Sequence, residues 1–104
     1  MERAPRVEIQ FPALFRTNGF SPVRRAGEGM ILNLSRRGCM MRTETPVPIG
    51  TDLVLHLYRD SHPSRIQIDQ ATVRWSNEGR FGVEFLEARP EDWYHLQMVM
   101  AGLS

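Results

Sequence analysis

Asn33 and Ser35 are the residues of this chain best suited to binding chemistry. They lie two apart in Asn33-Leu34-Ser35-Arg36-Arg37-Gly38, between short apolar runs. On a strand that spacing turns both side chains to one face. An amide and a hydroxyl together offer donors and acceptors to a polar ligand. Gly38 supplies a turn, or a bare backbone that a ligand can approach closely. Arg36 and Arg37 fall inside the segment, and Arg3 and Arg6 lie near the N-terminus. Guanidinium groups grip phosphate in bidentate fashion and stack on bases. The chemistry indicated is recognition of a polar, anionic ligand.

Signals for catalysis are weak by comparison. His56, His62 and His95 are scattered, and no Cys, His, Asp or Glu cluster has metal-ligand spacing. There is no nucleophile elbow and no phosphate-binding glycine loop with lysine. Gly27-Glu28-Gly29 is too short and too acidic to serve as one. The chain is therefore expected to be no enzyme and to need no metal or cofactor. The single cysteine, Cys39, excludes an internal disulfide and suits a reducing compartment. Its setting, Cys39-Met40-Met41, reads as a small buried hydrophobe.

The scaffold that must position these residues is small. A chain of 104 residues, 41% hydrophobic and 24% charged, falls in the globular class and can build one core. No apolar run approaches the roughly 18–20 residues of a membrane span, and the first residues lack an apolar signal segment. The expected location is the cytoplasm. The net charge of +1 hides an asymmetry. Residues 1–42 hold eight arginines against three glutamates, a balance of +5, and residues 43–104 hold five against nine acids, a balance of −4. All thirteen basic residues are arginine, a usage read as codon bias ahead of phosphate binding. The clustering is more informative, because it points to a localised anionic partner rather than a globally basic nucleic-acid binder.

Most of the chain reads as strand. Val7 to Arg16 forms a first run, with Pro12 interrupting it or placing it on an edge. A loop follows from Asn18 through Gly29. Met30 to Ser35 alternates, with Met30, Leu32 and Leu34 on one face and Ile31, Asn33 and Ser35 on the other. Gly38 to Thr43 and Thr51 to Arg59 come next, the latter with Leu53, Leu55 and Leu57 sharing a face. Arg65 to Ser76 is one long strand or two with a bulge, and Trp75 within it is read as core or as an edge of the ligand face, with core favoured. Asn77-Glu78-Gly79 makes a tight hairpin turn before the alternating Phe81, Val83 and Phe85. About six strands in this order suggest an antiparallel meander or barrel. Pro90-Glu91-Asp92 then begins a helix over 90–102, whose Trp93 and Leu96 would close a barrel mouth.

At this point the chain resembles the PilZ domain family. The Asn-x-Ser-x-x-Gly of Asn33, Ser35 and Gly38 looks like that family's second motif, which begins with Asp or Asn. An arginine-bearing segment precedes the first strand. Val73-Arg74-Trp75, a turn, Gly82-Val83-Glu84-Phe85 and an acidic-started helix follow in the family's order. The resemblance implies a six-stranded antiparallel β-barrel with a C-terminal α-helix, in a single domain spanning 1–104. It divides into a flexible arginine arm (1–6), the barrel (7–88) and the helix (90–102). It further implies a receptor for cyclic di-GMP, with N-terminal arginines clamping phosphates and guanine edges while the second motif holds a guanine. Ligand-binding positions on that basis are Arg3, Arg6, Asn33, Ser35 and Gly38. Arg6 sits where the second arginine of Arg-x-x-x-Arg is expected, but Glu2 stands where the first should be. Arg3 is one position late, and Glu2 repels phosphate. Losing one charge-assisted contact costs about 1.5–3 kcal/mol, roughly ten- to a hundredfold in affinity.

Two classes of function remain open at this level. In one, cyclic di-GMP orders the arm across the barrel and changes the surface shown to an unidentified protein target, without a membrane partner. In the other, favoured by Glu2, the chain is a PilZ-like interaction module that no longer binds the nucleotide. A single-strand nucleic-acid binder stacking bases on Phe15, Phe20 and Phe81 is disfavoured by the acidic second half.

Overall fold

Alternating apolar residues every second position demand strands with one buried face, and a closed sheet satisfies six of them without leaving an edge. The computed structural model describes residues 7–19, 24–45, 47–60 and 64–102. Its elements are β1 (Val7–Thr17), β2 (Ala26–Leu34), β3 (Gly38–Thr43), β4 (Asp52–Tyr58), β5 (Arg65–Asn77), β6 (Arg80–Glu87) and α1 (Pro90–Met100). The strands close into an antiparallel barrel in the order β1-β2-β3-β6-β5-β4, with β4 returning to β1.

Side chains fill the barrel, as expected for so few strands. Leu53, Leu55 and Leu57 from β4 are buried, as are Ile66 and Ile68 from β5 and Phe81, Val83 and Phe85 from β6. Phe15 meets Phe81 edge-to-face at 5.5 Å between centroids, a geometry the ring quadrupoles favour. Among the described residues, no helix is long and apolar enough to cross a membrane.

Pro12 does not interrupt β1 but falls at a local edge, the other of the two expectations. It pairs with Met30 of β2, and the ladder with β4 begins only at Ala13. The missing N–H therefore falls where the second neighbour is absent, the place a strand tolerates proline. The hairpin turn at Glu78-Gly79 has both central residues at positive φ (48° and 79°), between the paired Asn77 and Arg80. That conformation matches the twist of the strands it joins.

Two expectations from the sequence are corrected. Gly27, Glu28 and Gly29 belong to β2 and not to a loop, pairing with Phe15, Leu14 and Ala13 of β1. Their lack of apolar side chains hid the strand. The alternation drawn through Met30–Ser35 also fails, because Ile31 and Leu34 are both fully buried. Opposite β3, Ile31 pairs with Met41 and Asn33 with Met40, so Leu32 is an extra residue. A bulge of this kind turns two successive residues to the same side and resets the inward face.

The helix is fixed at its first turn. Pro90 occupies a position where its missing N–H is no loss, and Glu91 and Asp92 complement the positive end of the helix dipole. Asp92 is buried: its Oδ1 accepts from the Gln67 amide of β5 at 3.0 Å, and its Oδ2 from Arg89 Nε at 3.2 Å. Leu96 and Val99 then join the barrel core, with Trp93 and Met100 packed partly buried against it. The helix ends at Met100, with residues 101–102 in a turn.

Candidate functional site

The register of the barrel gathers the polar residues of β2 and the far end of β5 onto one outer face. Asn33 pairs with Met40, Met40 with Gly82, and Gly82 with Trp75. The next outward row runs from Gly38 through Glu84 to Thr72. Two bulges frame this face. Leu32 is the extra residue of β2, and Arg74 is the extra residue of β5, between Val73 and Trp75. Each bulge sends two neighbours outward, Leu32 with Asn33 and Arg74 with Trp75. The result is an open cleft of about 230 Å³ whose lining includes Asn33, Ser35, Arg37, Arg74, Trp75 and Glu84.

Each group has a distinct setting. The Asn33 side chain is partly buried and makes no hydrogen bond among the described residues. Its amide is free to donate and accept. Ser35 follows the end of β2, where its amide and its hydroxyl both donate to the Gly38 carbonyl, at 2.8 and 3.2 Å. The hydroxyl keeps its lone pairs for a ligand donor. Arg36 and Arg37 form the exposed hairpin tip, but only Arg37 lines this cleft. Trp75 is 42% exposed, so the favoured reading of it as core fails, and it edges the cleft as the other reading had it. The bulge at Arg74 turns it out, and its indole occupies the space a side chain at Gly82 would need.

Gly38 proves to have a packing role. Its φ is not positive, and it is buried in the β3–β6 ladder opposite Glu84. A Cβ at this position would collide with the Val83 carbonyl of the neighbouring strand. The glycine therefore allows close strand approach and supports the Ser35 turn, and it also lines the cleft. Arg3 and Arg6 lie outside the described residues. β1 begins at Val7, which pairs with Leu34, and Glu8 pairs with Asn33.

Other features bear less on binding an anion. A larger groove of about 1050 Å³ runs past Gly29, Met30 and the β5–β6 turn, but Glu28, Glu44 and Glu78 line it against the single Arg42. That balance disfavours a phosphodiester. Cys39 is buried, and desolvation pushes its thiol up to about 12, so it stays protonated and inert. His56 is lowered from its ordinary value by burial and by Arg65 and Arg16, against a smaller opposing pull from Asp69.

Sequence reasoning located Asn33 and Ser35 but missed Arg74 and Glu84 as cleft residues and favoured the core for Trp75. These lie some forty to fifty residues further on and reach the cleft only through barrel closure. Val73-Arg74-Trp75 was visible as part of a family resemblance, without a position relative to Asn33.

Comparison with known proteins agrees with this architecture. The PilZ domain family model matches residues 2–102. The PilZ domain of CeSA, from a cellulose-synthesizing bacterium, has a TM-score of 0.73 at 14% identity, covering 96% of this chain and 98% of that one. The PilZ domain of YcgR from Escherichia coli, solved with c-di-GMP, has a TM-score of 0.69 at 16% identity, covering 98% and 90%. No curated protein matches the sequence. With the family model covering nearly the whole chain and the same barrel in both structures, the chain belongs to the PilZ domain family.

Proposed function

We propose that this protein is a cyclic di-GMP receptor and adaptor, not an enzyme, that needs no further cofactor. The observation carrying this reading is the meeting of Asn33, Ser35 and Trp75 in one cleft beside the start of β1. In it, the Asn33 amide oxygen accepts from the N1–H and N2–H edge of a guanine. Ser35 accepts through its hydroxyl lone pairs at the same edge of the cleft, and the exposed Trp75 indole offers a π-face to a base or sugar. Arg37 faces the phosphates, and Arg6 closes over the nucleotide from the segment ahead of β1, with Arg3 assisting. Gly38 contributes indirectly, by holding the turn that carries Ser35. Ordering of the arm on binding is the switch that a protein target reads.

Calorimetric titration of cyclic di-GMP into the full chain at low salt tests this. Saturable heat is expected, weakened about ten- to a hundredfold by Arg6→Ala, which removes a charge-assisted contact. No heat at micromolar protein refutes it. If Glu2→Arg then gains binding that the parent lacks, the chain is an interaction module that has lost the nucleotide.

A further inference from the structure

Arg74 belongs to neither the N-terminal arginine segment nor the Asn33-to-Gly38 motif, yet it lines the same cleft as Asn33, Ser35 and Trp75. Being the extra residue of a bulge, it leaves β5 on the outer face beside Trp75. Its Nε and one terminal nitrogen both donate to a single oxygen, Oε1 of Glu84, at 2.9 and 2.5 Å. Among the described residues, no other bond holds the remaining terminal nitrogen or Oε2 of Glu84. The two side chains are 55% and 40% exposed, and Glu84 stands opposite Gly38 in the β3–β6 ladder.

We propose that Arg74 is a phosphate-binding arginine of the cleft, held by Glu84 in the empty site and handed to a phosphodiester of the ligand when it binds. The proposal rests on the nucleotide reading above and adds to it a residue and a competitor. An ion pair this exposed contributes little to stability, so giving it up costs the fold little. A guanidinium fork fits a phosphate in bidentate fashion as well as it fits a carboxylate. Glu84, left behind, repels the same phosphate, so the pair sets the affinity: Arg74 raises it and Glu84 lowers it. This also supplies a barrel-borne cation where Glu2 leaves the arm one arginine short.

The test is calorimetric titration of cyclic di-GMP into wild type, Arg74→Ala, Glu84→Gln and the double variant, each verified as folded by circular dichroism. Glu84→Gln is expected to bind about two- to fivefold tighter than wild type, the range of a partly exposed charge interaction. Arg74→Ala is expected to bind about ten- to a hundredfold weaker. The double variant separates a lost contact from an unmasked Glu84, and is expected to bind at least tenfold weaker than Glu84→Gln. A double variant as tight as Glu84→Gln, with wild type binding, overturns the inference alone: the pair is then only a cross-strand contact. Glu84→Gln no tighter than wild type overturns the competitor role. No heat from either wild type or Glu84→Gln removes the nucleotide reading, and this inference with it.

Discussion

Replacing Gly38 by alanine separates the packing role of the motif from its binding role. The added methyl points at the Val83 carbonyl, a backbone atom that cannot rotate away, so β3 and β6 must part locally. Forcing an extra methyl into a packed site costs about 1–3 kcal/mol. The parting also strains the bonds from Ser35 to the Gly38 carbonyl and from the Phe85 amide to the Arg37 carbonyl, at about 1 kcal/mol for each one lost. Alanine recovers about 0.4–1 kcal/mol by restricting the unfolded chain. The net is a loss of about 2–3 kcal/mol, which lowers Tm by roughly 10–20 °C in a domain of this size. Urea unfolding followed by circular dichroism measures it, with Asn33→Ala as the control, since that side chain makes no hydrogen bond among the described residues. A Gly38→Ala protein within 0.5 kcal/mol of wild type would refute the close approach of β3 and β6 as the reason for glycine here.

Further outcomes follow from the same geometry. Asp92→Ala strands the Gln67 amide and frees the start of α1, so it should cost about 2 kcal/mol in denaturant unfolding, whereas Asp92→Asn should retain part of that. His56 binds its proton less readily when folded, so the unfolded chain takes up more protons as pH falls through its ordinary value of about 6.5. Stability should therefore be fully present above pH 7 and decline on acidification until the folded group also titrates. The fall in Tm between pH 7.5 and 5.5 should be smaller in His56→Gln; an identical fall would show that other groups cause it.

Periodicity made much of the barrel legible, and particular residues show where it stopped. Leu53-Leu55-Leu57 and Phe81-Val83-Phe85 declared their inward faces directly, and Glu78-Gly79 declared its turn. Gly27-Glu28-Gly29 did not, because a strand without apolar residues carries no period to read. The bulges at Leu32 and Arg74 were hidden for a deeper reason. A bulge is a two-against-one count between partner strands, so a single strand's sequence does not contain it. The candidate site inherits that limit: Asn33 and Ser35 were visible as a local motif. The wall of Arg74, Trp75 and Glu84 became visible only when β2, β3, β6 and β5 lay side by side. The packing role of Gly38 was hidden in the same way, since the carbonyl it avoids belongs to a strand forty-five residues away.

The central claim is that the face carrying Asn33 and Ser35 binds cyclic di-GMP. Its most direct test is calorimetric titration of the dinucleotide into wild type, Asn33→Ala and Ser35→Ala, with Tm recorded for each. The account predicts saturable binding by wild type and at least about tenfold weaker binding by both variants, as loss of a ligand-facing hydrogen bond to a charged or desolvated group implies. Tm should stay close to wild type in Asn33→Ala and fall by at most several degrees in Ser35→Ala, which loses the hydroxyl bond to Gly38. Equal affinity in all three proteins, or no heat from any of them, would contradict it.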